Sequence, residues 1–294
     1  MRITQQMMTS GTLSRLQERL ATFESTQVKV GTGKRMQVPS DDVAGMSSAL
    51  RLRSEMAARV QEARNAEDGL MWVNLADSEL QGIVAQLQRA RELAVRGASM
   101  TDATERAAIQ IEIEGIRDDI VAAANSSSQG RPLFAGFAAG EAVAQVGGVW
   151  TYQGDTGRVT RRASETDIIA VNVTGDQVFG FAAGQDVFTV LDDLSTALIA
   201  GDQTAISGSI TAIDDSMGRV LDGLAVLGAA GNRLDAAYER SQVEQNTVRG
   251  YLSEVEDVDI AEAISELQMQ EVAYQATLGA LSKALQPSLI DFLR

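Results

Sequence analysis

From Leu52 to Ala94, small or apolar side chains recur at positions 52, 56, 60, 63, 66, 70, 73, 76, 80, 83, 87, 90 and 94, a mean step of 3.5 residues. That is the heptad spacing of a helix whose narrow apolar seam faces another helix. The same alternation of four and three runs through Ile206, Ile210, Ile213, Met217, Val220, Leu224, Leu227, Gly231, Leu234, Tyr238, Ser241, Gln245, Val248, Leu252 and Val255, with lapses only at Gly231, Ser241 and Gln245. Two long seams, each too slender to form a core alone, predict two long helices that pack on partner helices.

Composition supports this. Apolar residues make up 45% of the chain but aromatics only 4%, so burial rests on Leu, Ile, Val, Met and Ala. Pro39, Pro132 and Pro287 are the only prolines, which leaves long stretches free of the strongest helix breaker. Between the two seams, Asp102 and Glu105 have capping-box spacing, and Ile109, Ile113, Ile116 and Ile120 mark a shorter helix that ends near Asn125 and folds back on the first. Val187, Val190, Leu191, Leu194 and Leu198 predict another short helix, with Gly201 as its C-terminal cap.

The middle of the chain changes character. Glycines cluster from Gly136 to Gly184, and Val149 to Tyr152 and Ile168 to Val173 are β-branched or aromatic, which predicts short strands. Gly147-Gly148 and Gly154-Asp155-Thr156-Gly157 supply the positive φ that tight hairpin turns need. Arg158, Arg161 and Arg162 are read as decoration of an exposed strand face rather than as an anion site.

Both ends are amphipathic, with seams one residue wide: Leu13, Leu16, Leu20 and Phe23 at the start, and Ile260, Ile264, Leu267, Tyr274, Leu278, Leu281 and Leu285 at the finish. Residues 1–35 carry six Lys or Arg against two Asp or Glu, whereas residues 251–294 carry two against eight. Opposite charges favour pairing of the two ends. Pro287 is expected to kink or stop the last helix. The fold class that follows is mainly α, a long antiparallel helical hairpin or bundle built from both chain ends, with a small central β-rich domain. The domain reading is 1–44 an N-terminal assembly helix and linker, 45–135 and 186–254 the two parts of a helical rod, 136–185 a β-rich outer domain, and 255–294 a C-terminal assembly helix. Seams this narrow bury too little to offset an ordering cost of about 1 to 2 kcal/mol per residue, so the ends need neighbours. Leu13, Leu16, Leu20, Phe23, Ile264, Leu267, Tyr274, Leu278, Leu281 and Leu285 are the candidate contacts.

The chemistry excluded is as informative. A formal charge of -15 opposes a phosphate-backbone binder, so no nucleic acid partner is expected. With neither cysteine nor histidine, thiolate nucleophiles, zinc thiolate sites and imidazole bases are ruled out, and no catalytic, cofactor or metal site is expected. Gly31-Thr32-Gly33-Lys34 lacks the spacing of a phosphate loop. Glu254, Glu256, Asp257 and Asp259 have no metal-ligand spacing and read as a solvated charge run between helices. No run approaches the roughly 18 apolar residues of a membrane span, and the opening Met1-Arg2-Ile3-Thr4-Gln5-Gln6 lacks the apolar core of a cleavable signal.

Several stretches carry a family resemblance. Arg64-Asn65-Ala66-Glu67-Asp68-Gly69-Leu70, then Leu87-Gln88-Arg89-Ala90-Arg91-Glu92-Leu93-Ala94-Val95, resemble the N-terminal helical region of bacterial flagellins. Gly31-Thr32-Gly33-Lys34-Arg35 and Pro39-Ser40-Asp41-Asp42-Val43-Ala44-Gly45 resemble the segment that leads from that family's terminal helix into its helical domain. Pro132-Leu133-Phe134-Ala135-Gly136, Tyr152-Gln153-Gly154-Asp155-Thr156-Gly157 and Gly175-Asp176-Gln177-Val178-Phe179 are similar to the hook-associated branch, type 3, at the hook-filament junction. The opening Met1-Arg2-Ile3 and the stretches Asp257 to Ile264 and Ser288 to Leu293 agree. The resemblance implies a non-enzymatic structural subunit of the extracellular flagellum. Its implied partners are itself, the first hook-associated protein and flagellin. It also implies unfolded export through the flagellar type III channel, with a cytoplasmic export chaperone masking Leu278, Leu281 and Leu285. A short filament flagellin is the near alternative, and a cytoplasmic signalling coiled coil the distant one.

Overall fold

The computed structural model describes residues 2–285, without the side chains of residues 2–6, 8, 9, 12 and 283–285. Pro287 and its expected kink lie outside the described residues. The elements run α1 (Arg2–Thr32), α2 (Val43–Ser99), α3 (Ala103–Ala124), β1 (Ser127–Ser128), β2 (Arg131–Pro132), β3 (Val143–Val146), β4 (Val149–Tyr152), β5 (Thr160–Arg162), β6 (Ile168–Ala170), α4 (Gly175–Val178), α5 (Val187–Ala200), α6 (Gln203–Glu256) and α7 (Ile260–Leu285). The chain forms two compact units: the described residues up to Ala58 with those from Gln245 onward, and Arg59–Glu244.

In the larger unit α2 and α6 run antiparallel, as their partners show. Ser241 Oγ donates to the Arg59 carbonyl at 2.6 Å, and Arg91 pairs with Asp214 at 2.6 Å. Between these contacts Gly69 stands against Leu234 and Gly231 against Val73, where the missing side chains let the helices approach. Two lapses in the second seam therefore have uses: Gly231 makes room, and Ser241 bonds across. The helix α3 folds back on α2 through Arg89 to Glu112 at 2.6 Å, and α5 joins α3 through Arg117 to Asp192, also 2.6 Å. Leu80, Ile83, Leu87, Leu93, Ile113, Ile120, Leu191, Ile206, Ile213, Val220 and Leu227 form the buried core.

Helix ends follow local chemistry. Asp102 caps α3 through the Thr104 N–H, and Asn125 closes it. Asp186 caps α5 by accepting from Thr189 N, and Gly201 ends it in the left-handed region at φ 70°. Asp202 then accepts from Thr204 N and Ala205 N to start α6.

The β region is three separate antiparallel hairpins, β1-β2, β3-β4 and β5-β6. Gly147 and Gly148, at φ 63° and 86°, turn β3 into β4. The first hairpin, 127–132, lies outside the strands that the sequence predicts; its turn is Gln129-Gly130, with Gln129 at φ 51°. Gly154-Asp155-Thr156-Gly157 makes no hairpin turn, contrary to expectation. It is an extended connection in which Asp155 Oδ1 accepts from Phe137 N and Gly157 N, both at 2.8 Å. The β5-β6 turn lies at 163–167, where Ser164 Oγ accepts from Asp167 N at 3.0 Å.

Three motifs of the resemblance converge here. Asp155 N and Gly175 N donate to the carbonyls of Ala135 and Phe134, at 3.0 and 2.8 Å. Phe134 packs edge-on against Phe179 with ring centroids 5.5 Å apart. The Tyr152 hydroxyl lies 2.8 Å from the Phe134 carbonyl and 2.9 Å from that of Asp155. Burial first, then the Asp176 and Asp155 carboxylates, push this phenol up to about 12, so it stays protonated as a donor. Arg161 pairs with Asp68 at 2.6 Å, which ties β5 to α2 rather than leaving that arginine as surface decoration.

Candidate assembly surface

In the smaller unit the first and last described helices pair. Phe23 of α1 stacks on Tyr274 of α7 with ring centroids 6.3 Å apart and planes 14° from parallel. Below the rings, Arg15, Glu18, Arg19 and Thr22 face Ala276, Thr277 and Ala280 across a hollow of about 640 Å³. The helices run antiparallel: residue numbers rise along α1 as they fall along α7, ending in a two-residue bridge between Lys34 and Asp257.

The candidate contact residues divide between two positions. Leu16, Phe23, Leu267, Tyr274 and Leu281 are half-buried within the pair. Leu13, Leu20, Ile264 and Leu278 remain 51%, 37%, 41% and 39% exposed although the helices are already paired. Leu285 falls at a position whose side chain is not described. Each helix thus spends one edge of its apolar stripe on its partner and leaves the other edge open. Apolar side chains left open on an already paired helix make this edge a candidate interaction surface.

A clasp closes the base of the pair. Gly33, at φ 68°, ends α1, with its N–H bonded to the Lys29 carbonyl. Arg35 N donates to Glu256 O at 2.7 Å and Val258 N to Gly33 O at 3.0 Å. Lys34 Nζ reaches Asp257 at 2.6 Å and Glu256 at 3.3 Å, while Arg53 Nε meets Glu256 at 2.7 Å. Glu256 is 4% exposed, so the expected solvated charge run instead sends one carboxylate inside, where two cations hold it. The hydrogen bond from Lys34 holds Asp257 below the usual carboxylate range, and the same bond raises Lys34.

The Pro39 to Gly45 segment shapes the entry to α2. Asp41 Oδ2 accepts from Gln37 N and Val38 N, at 2.9 and 3.1 Å, which lowers its pKa. Asp42 Oδ1 accepts from Gly45 N at 2.8 Å and caps α2. A Cβ on Gly45 would sit 2.6 Å from Met36 Sδ, so a larger residue there would require the Met36 and Asp42 side chains to shift. The charge difference between the chain ends is realised in this clasp; among the described residues, no ion pair joins α1 to α7 along their lengths.

Among the described residues, no group of three or more His, Cys, Asp and Glu is placed to hold a metal ion, and no helix is long and apolar enough to cross a membrane. The model of the bacterial flagellin N-terminal helical region matches residues 3–139, and that of the C-terminal helical region matches residues 210–293. The chain belongs to the bacterial flagellin family. The matched regions of the flagellin family contain nearly all of α1, the clasp and all of α7, so the surface described above lies in what the family shares. The chain is 28% identical to flagellar hook-associated protein 3 of Salmonella typhimurium over all of both chains, and 26% identical to a flagellin of Bacillus subtilis over 97% of each. In fold it is similar to a flagellar hook-associated protein of Vibrio parahaemolyticus (TM-score 0.70, 21% identity, 74% of this chain and 100% of that one). The hook-associated protein-3 of Legionella pneumophila is also similar (TM-score 0.64, 15% identity, 69% of this chain and 98% of that one). Membership of the flagellin family removes the signalling coiled coil from consideration.

Proposed function

We propose that this chain is a structural subunit of the bacterial flagellum, placed at the junction between hook and filament, and that it polymerises through α1 and α7. The observation that carries the proposal is the open half of each terminal stripe, at Leu13, Leu20, Ile264 and Leu278. A neighbouring copy supplies the helices that cover these side chains, so completion of the terminal unit is coupled to assembly. The full-length similarity to a hook-associated protein 3 favours the junction position, with the first hook-associated protein below and flagellin above. In this reading the chain is not an enzyme; segments 1–44 and 255–294 are its assembly domains, 45–135 and 186–254 its rod, and 136–185 its outward face. It leaves the cell unfolded, with a chaperone masking the stripe of Leu278, Leu281 and Leu285.

A deletion strain tests the position: hooks form without filaments while flagellin is found in the medium, and the wild-type chain is recovered in sheared flagella. Normal filaments in that strain would refute the junction reading. The similarity to the Bacillus subtilis flagellin favours a second reading, a short filament flagellin. Long filaments made by the purified chain alone would select it.

A further inference from the structure

Trp72, on α2 within the larger unit, is 5% exposed, and its indole Nε1 has no hydrogen-bond partner. Native structures rarely leave an N–H out of water without an acceptor, because its desolvation is then uncompensated. The indole lines a hollow of about 150 Å³ together with Asp68, Ser128, Gln129, Arg131 and Arg161. A water molecule takes about 30 Å³ of liquid, so the space admits a group the size of a carboxylate or phosphate.

The lining is cationic in a chain whose total charge is -15. Arg161 gives its Nε to Asp68 at 2.6 Å. Arg131 lies over the Trp72 ring, 6.0 Å from its centroid, and makes no ion pair among the described residues. Two guanidinium groups against one carboxylate leave the hollow with room for one negative charge. The β1-β2 turn, with Gln129 at φ 51°, brings a side-chain amide to the same hollow.

We propose that this hollow is an anion site that takes a carboxylate or comparable small oxyanion, with Trp72 Nε1 and the Arg131 guanidinium as its donors. The oxyanion comes from solution or from an acidic side chain of a second copy, and one experiment separates the two. Indole N–H resonances of the full-length chain are followed by NMR, with Trp150→Phe used to assign the Trp72 signal. Acetate or phosphate, against chloride at matched ionic strength, should shift that signal saturably if the source is a free anion. A shift with protein concentration in anion-free buffer identifies the second copy. Arg131→Gln should weaken either response about tenfold, about 1.4 kcal/mol, and Arg131→Lys should retain part of it. A Trp72 signal indifferent to both anion and protein concentration overturns the proposal. So does a response undiminished by Arg131→Gln in a variant that melts like the wild type.

Discussion

Replacing Gly136 with alanine would place a Cβ 2.2 Å from Asp155 Oδ1 and 2.6 Å from the Asp155 carbonyl, at a residue whose φ is 70°. We expect a loss of about 1 to 3 kcal/mol, seen as a lower urea midpoint with an unchanged slope. Asp155→Ala removes the acceptor shared by Phe137 N and Gly157 N and should cost roughly 1 to 3 kcal/mol by the same measurement. These two residues also mark a limit of sequence reading. Gly154 to Gly157 has the composition of a turn, but Asp155 serves a backbone donor 18 residues upstream, and no local signal announces that. The burial of Glu256 is hidden from the sequence for the same reason: its cations stand at Lys34 and Arg53, far away in the sequence.

At the scale of elements, the periodic seams were legible because burial repeats with the helix. Positions 73, 76, 80, 83, 87, 90 and 94 of α2 are all buried, as are 206, 213, 220, 227 and 234 of α6. Leu80→Ala should therefore cost about 2 to 5 kcal/mol, against a few tenths for Leu50→Ala on the exposed face. The hairpin at 127–132 is not legible in the sequence because a Ser-Ser, Arg-Pro pair carries no strand propensity; its ladder is two residues long and held by context. The ten candidate contact residues showed their helical phase in the sequence, but not which edge of each stripe would face the partner helix. The clasp should respond to pH at both ends. Asp257 and Asp41 are lowered, so their contribution is complete above the ordinary carboxylate value of 3.8 and disappears as pH falls through their depressed values. Lys34 is raised, so its contribution is complete below 10.5 and disappears as pH climbs past its elevated value. Protease trimming of residues 1–35, measured against pH, should be slowest on the plateau between, and Asp257→Asn should flatten the acid limb.

At the scale of the whole molecule, assembly and stability should separate. Changing Leu13, Leu20, Ile264 and Leu278 together to serine leaves the half-buried edge of the pair in place. We expect the melting temperature of the larger unit to be unchanged while incorporation into flagella is lost, as scored by blotting of sheared flagella. Loss of stability without loss of incorporation would place the assembly surface elsewhere. The clasp has one more consequence, which concerns time. Lys34 and Asp257 are 223 residues apart in the chain, so closing that loop from an unfolded chain costs roughly 5 kcal/mol of entropy by logarithmic scaling. Local hairpins and neighbouring helices close far smaller loops and so precede it. From any unfolded start the chain should thus fold from its middle outward, with the Lys34–Asp257 closure among the last contacts to be secured.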